Sequence, residues 1–146
     1  MREILFRGKR CDNGEWVQGY YIRADHHWHN HGIHKDWITL GASANGGWFA
    51  LHNKYAVKAE TIGQFTGLTD NNGKKIFEGD VVRVLGNQQV DDWKNVDYVA
   101  LIAFLDGGFC AIDGTVKEHG FRRYALARMD FSLEIIGNIH DNPELL

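Results

Sequence analysis

One proline, two serines and two cysteines in 146 residues leave little room for several familiar designs. No Pro-rich or Ser-rich linker divides the chain, so it reads as one domain, or one domain with a small companion sheet, of a size that buries roughly two-thirds of its unfolded surface. The two serines, Ser43 and Ser132, stand outside any G-x-S-x-G pattern, and neither a P-loop nor G-x-G-x-x-G occurs, so nucleophilic and nucleotide chemistry have no recognisable seat. Cys11 and Cys110 carry no metal spacing, nothing supports a bridge between them, and Cys110 lies in the apolar run Phe109-Cys110-Ala111-Ile112, where a buried thiol is expected. Long apolar runs are missing too, and the chain opens on charged residues, which predicts a cytosolic protein without a spanning helix or signal peptide. Lys plus Arg number 16 against 19 for Asp plus Glu, a net charge of −3, so attraction to nucleic acid or anionic lipid has to be local.

Apolar and turn-forming residues fill the chain instead. Hydrophobic residues make up 44% and aromatics 12%, which places the protein among globular chains. Runs at 4–6 and 15–22 flank Asp12-Asn13-Gly14, and Asn-Gly tolerates the positive φ of a tight hairpin. A second hairpin is expected from 37–40 and 48–51 around the small-residue connection 41–47. Further strands are expected at 61–65, 75–77, 81–85, 96–105, 109–112 and 133–139, punctuated by Asp70-Asn71-Asn72-Gly73, Glu78-Gly79-Asp80 and Asp106-Gly107-Gly108. Residues 122–128 alone suit a short helix, since Ala and Leu favour one and no Gly or Pro interrupts. Many short strands joined by Gly and Asn predict an all-β barrel or sandwich with antiparallel pairing.

Residues 61–85, TIGQFTGLTDNNGKKIFEGDVVRVL, pack two turn signals and three strand-like runs together, and the chain ends on EIIGNIHDNPELL from Glu134 to Leu146. The ordered motif TGL-D-NG-I-EGD-VV with the terminal IGNI-DNPELL resembles the YopX family of phage and prophage proteins. That resemblance implies a β-rich fold, sharpened to an SH3-like small barrel between about Ile62 and Ile139. Residues 1–56 would then form N-terminal antiparallel hairpins packed on a barrel and C-terminal tail spanning 57–146. It also implies the cytoplasm of an infected bacterium, and it carries no activity over to any residue. Asn13, Gly14, Asp70, Gly73, Gly79 and Asp80 are expected as structural turn residues, Asp80 through an Asx-type bond to its own loop.

Three kinds of site are open to these residues. His26, His27, His29, His31 and His34 crowd into nine positions, and imidazole is a common ligand for zinc, nickel and copper; His27, His29, His31 and His34 are the candidates, although the tract has no Cys and no HExxH and reads equally as a polar loop. A calcium loop starting at Asp70 fails, because Lys74 and Val81 would occupy ligand positions. Arg7, Lys9 and Arg10 concentrate positive charge on the first hairpin and Arg122, Arg123 and Arg128 do so near the C-terminus; with Trp16, Tyr20, Tyr21, Trp28, Phe65 and Tyr124 they supply the charge and stacking surface of a nucleic-acid site. Exposed Trp and Arg and many short strand edges fit protein contacts as well. The reading is a non-catalytic module binding a host or phage protein, with self-association open, no cofactor and no membrane. A nucleic-acid-binding barrel is the first alternative and a metal-dependent enzyme using the histidine loop the second.

Overall fold

A computed structural model describes residues 3–25, 34–45, 48–86, 97–113, 123–126 and 132–146. The described residues form eleven strands and two short 3-10 turns, and every strand pairing recorded between them is antiparallel. They fall into two compact units, Met1–Phe65 and Thr66–Leu146.

The first unit holds β1 (Phe6–Lys9), β2 (Trp16–Asp25), β3 (His34–Asn45), β4 (Trp48–Ala56) and the start of β5 (Gly63–Thr69). β2 divides its length between two partners, pairing β1 from Trp16 to Gly19 and β3 from Tyr20 onward. At that changeover a Cβ on Gly19 would lie 2.3 Å from the Thr39 carbonyl oxygen, so only glycine lets the two backbones approach. Beyond Thr39, β3 leaves β2 and continues with β4 alone, Gly41 to Asn45 against His52 to Trp48. The connection expected at 41–47 is therefore strand as far as Asn45, because a long cross-strand ladder outweighs the weak intrinsic preference of Gly and Ala.

The ladder then returns to its start. Val57 pairs Arg10, the Cys11 N–H donates to the Ala56 carbonyl and the Lys58 N–H to the Lys9 carbonyl, both at 2.9 Å. Pairings thus run in a closed circuit through β1, β2, β3 and β4, which leaves fewer open edges than a flat sheet. Among the described residues of this unit, Leu5, Ile38, Val57 and Phe65 are the buried apolar ones. The Thr61 hydroxyl, in a 3-10 turn at Ala59–Thr61, accepts the Lys9 N–H at 2.9 Å and fastens the connection to β1.

The second unit contains β6 (Lys75–Phe77), β7 (Asp80–Leu85), β8 (Asp97–Leu105), β9 (Gly108–Asp113), β10 (Arg123–Ala125) and β11 (Ser132–Asn138). Five of these make a sheet in the order β10-β9-β8-β7-β11. Its core is Ile76, Val82, Val84, Ala100, Ile102, Ala111, Leu126 and Leu133, with Tyr98, Phe109 and Ile135 packed against it. Alternation explains the set, since Ala100 and Ile102 share one face of β8 and Val82 and Val84 one face of β7. Of the helix expected at 122–128, the described part is strand instead: Arg123, Tyr124 and Ala125 form β10, paired with Ile112, Ala111 and Cys110. An edge of β9 with unpaired backbone groups captures a segment whose helical preference is only a few tenths of a kcal/mol per residue. Among the described residues the sheet order is open, ending at β10 and β11.

Candidate binding surface

The two segments that carry the sequence motif meet in the second unit, and their contacts are structural. Asp70 is 6% exposed; its carboxylate accepts the N–H groups of Lys74 at 2.8 Å, Asn72 at 2.9 Å and Ile135 at 3.3 Å. Burial by itself would raise this carboxyl, but the N–H donors of Lys74, Ile135 and Asn72 and the Lys74 charge outweigh it and hold the group below the usual carboxylate range. The Asn71 N–H donates to the Leu133 carbonyl at 2.9 Å, and the Asn71 side-chain amide to the Ser132 hydroxyl. Asp80, 1% exposed, accepts the Phe77 N–H at 2.7 Å and so closes the turn at Gly79, where φ is +83°. From that turn the Gly79 carbonyl accepts the Ile139 N–H at 2.9 Å. The tail folds on itself, with the Asn138 side-chain oxygen accepting the N–H groups of His140 and Asp141, both at 3.0 Å. Gly14 and Gly73 also sit at positive φ, +74° and +77°, and Asn13 caps its turn by accepting the Glu15 N–H at 3.0 Å. The carboxylates of Asp70 and Asp80 and the side-chain oxygens of Asn13 and Asn138 are thus engaged with backbone N–H groups, in keeping with structural roles at turns.

The basic hairpin is partly neutralised. Arg10 donates to Asp12 through two nitrogens at 3.0 and 2.6 Å and stands 3.7 Å from Glu15. The Asp12 hydrogen bond raises the already high Arg10 pKa, and the Arg10 hydrogen bond lowers that of Asp12. Arg7 and Lys9, on one face of β1, lie over the Trp16 ring at 4.8 and 5.6 Å from its centroid, and Arg10 covers Tyr55 at 4.4 Å. Trp16 is thus engaged by cations on its own unit. Arg123 belongs to β10, whereas Arg122 and Arg128 lie outside the described residues, as do His27, His29 and His31; His34 begins β3. Among the described residues no group of three His, Cys, Asp or Glu side chains is placed to hold a metal. Ser43 meets His52 across β3 and β4, hydroxyl to Nε2 at 2.7 Å, on an exposed surface.

An apolar surface at the tip of the β8–β9 hairpin is the feature the sequence reading missed. Phe104 and Leu105 are 49% and 40% exposed, and Phe104 meets Phe109 edge-on at 5.1 Å between centroids. Beside them a cleft of about 310 Å³ is lined by Leu105, Asp106, Gly107, Gly108, Phe109, Cys110 and Ala125. One wall is β10, and no described strand pairs its outer edge. The signal was the run Val99 to Leu105, apolar at every position. In an antiparallel sheet such a strand has both faces covered or displays one. Phe104 shares the face of Ala100 and Ile102, so alternation would bury it, yet at the hairpin tip it is exposed.

Such a molecule is an all-β protein of two antiparallel units whose motif residues stabilise turns and which exposes Phe104 and Leu105 at the tip of the β8–β9 hairpin. The chain belongs to the YopX protein family, whose model matches residues 5–146. It is similar in structure to protein EF1440 from Enterococcus faecalis, with 24% identity and a TM-score of 0.56 over 100% of this chain and 99% of that one, a likeness of fold. No curated protein matches the sequence. No helix among the described residues is long and apolar enough to cross a membrane.

Proposed function

We propose that this YopX-family protein is a non-catalytic binding module of phage or prophage origin, acting on a host or phage protein in the bacterial cytoplasm. The observation that carries the reading is the exposed Phe104–Leu105 pair beside the cleft and the unpaired outer edge of β10. Clustered apolar side chains at a surface mark sites of association, and an open strand edge offers backbone donors and acceptors to an extended segment of a partner. An apolar side chain of that segment enters the cleft against Leu105, Phe109 and Ala125. The architecture of residues 57–146 as an SH3-like small barrel with a C-terminal tail belongs to the same proposal, supported by the antiparallel run β7-β8-β9-β10 and the return of β11 to β7.

Affinity purification of the tagged protein from phage-infected bacteria, with and without nuclease, tests this when wild type is compared with Phe104→Ser/Leu105→Ser. Both positions are exposed, so the double variant should melt like wild type. The reading expects one protein to be captured in near-stoichiometric amount, unaffected by nuclease and lost in the variant. Capture that survives in the variant, or that nuclease abolishes, overturns it. Nuclease sensitivity would favour nucleic-acid binding, for which the supporting observation is the Arg7–Trp16–Lys9 face and the opposing one is the commitment of Arg10 to Asp12 and Glu15.

A further inference from the structure

We propose that Asn72–Gly73 is a site of spontaneous covalent modification, converting to aspartate and isoaspartate far faster than the chemically identical pair Asn13–Gly14. In such a pair the backbone nitrogen of the glycine attacks the side-chain Cγ of the asparagine. The N–H proton is lost, a C–N bond forms, and the amide leaves as ammonia, giving a five-membered imide. Water then opens the imide at either carbonyl, so no oxidant, enzyme or cofactor is needed. Glycine favours the step because no Cβ hinders the approach of its nitrogen.

The two sites separate what the nucleophile does from what the electrophile does. At both, the attacking nitrogen is engaged to a similar degree: Gly73 N–H donates to the Asp70 carbonyl at 3.0 Å, and Gly14 N–H to the Arg10 carbonyl at 3.1 Å. Both glycines have the same left-handed backbone, φ +77° and +74°, with open space around the Cα. The asparagine side chains differ. Asn13 is held at both ends, its nitrogen donating to Glu15 Oε2 at 2.7 Å and its oxygen accepting the Glu15 N–H at 3.0 Å. Attack requires the amide to swing over its own backbone, and at Asn13 that swing breaks two bonds, one of them to a carboxylate. The Asn72 side chain is exposed and makes no hydrogen bond to any described residue, so no described residue holds it away from the attacking rotamer.

The consequence falls on the turn that fastens β11. Asp70 accepts the N–H groups of Asn72 and Lys74 on either side of the reacting bond. Isoaspartate lengthens the backbone there by one methylene and adds a carboxylate next to Asp70, which loosens both bonds. The pH dependence should follow ionisation of the glycine amide, so the reaction runs faster in mild alkali.

Incubation of the intact folded protein at mildly alkaline pH, followed by peptide mass mapping with separation of aspartate from isoaspartate, reads both positions in one sample. We expect the mass gain of an amide-to-acid exchange at Asn72 at least several-fold ahead of Asn13, with isoaspartate among the products and a fall in Tm that tracks it. Glu15→Ala, an exposed change that releases the Asn13 amide, should bring the rate at Asn13 up toward that of Asn72. Equal or faster conversion at Asn13 in the wild type, or a Glu15→Ala variant in which Asn13 stays slow, overturns the proposal.

Discussion

Asp70→Ala removes a buried side chain that binds both motif segments of the second unit, and the loss can be worked bond by bond. Three backbone N–H groups lose a charged acceptor, from Asn72, Lys74 and Ile135. A hydrogen bond to a charged group contributes about 1.5–3 kcal/mol net, and a buried donor left without a partner costs about 1–3 kcal/mol. Asn72 and Lys74 are exposed and take water instead, so they contribute at the low end; Ile135 is half-buried within β11 and contributes fully. The sum is about 4–6 kcal/mol, a large part of the total for a domain of this size, or a fall of about 10–20 °C in Tm. Asp70→Asn retains an oxygen for Asn72 and Lys74 but sets an amide nitrogen against the Ile135 N–H, so it should recover only part of the loss. Because folding lowers the Asp70 pKa, its contribution is fully present above the unfolded value near pH 3.9 and disappears as pH falls through the folded value. Denaturant melts at pH 7 and at decreasing pH should therefore show the wild-type advantage constant down to about pH 4 and shrinking below it. A difference under about 1 kcal/mol at pH 7, the size of an ordinary surface contact, would refute the role given to Asp70. So would an advantage that persists undiminished in acid.

The remaining expectations concern close backbone approaches and the basic face. Gly79→Val places a β-branched residue at φ +83° and should destabilise by about 2 kcal/mol or more, read as a lower midpoint in urea with unchanged slope. Gly19→Ala should lower Tm well beyond Gly41→Ala, since a Cβ at 19 meets the Thr39 carbonyl at 2.3 Å and one at 41 meets nothing within 4 Å; equal melting of the two would show that β2 and β3 can separate at no cost. Fluorescence anisotropy with single-stranded and duplex DNA should show little binding at physiological salt, and submicromolar binding that weakens with salt and is lost in Arg7→Ala/Lys9→Ala would refute the protein-binding reading.

Local chemistry decided much of this protein without help from the fold. Asn13-Gly14, Asp70 to Gly73 and Glu78-Gly79-Asp80 mark turns because their φ preferences and short polar side chains act within a few residues. The all-β class followed from those turns and the apolar runs between them. Tertiary pairing decided the rest. Residues 123–125 carry helix-forming neighbours, yet they are strand because β9 presents an unpaired edge. Gly41 to Asn45 reads as loop, yet it is strand because β4 lies alongside. The return of Val57 to Arg10 joins positions 47 apart in the chain and has no local signature. Asp70 could be read as a turn residue, but its bond to Ile135 spans 65 positions and makes it the tie between the two motif segments. The exposed Phe104 follows the same logic: its periodicity is that of the buried Ala100 and Ile102, and its exposure at the hairpin tip has no signature in that periodicity. Turn preferences are properties of a few bonds, whereas edges, closures and uncovered faces belong to residues far apart in sequence, and only their positions in space settle which of them meet.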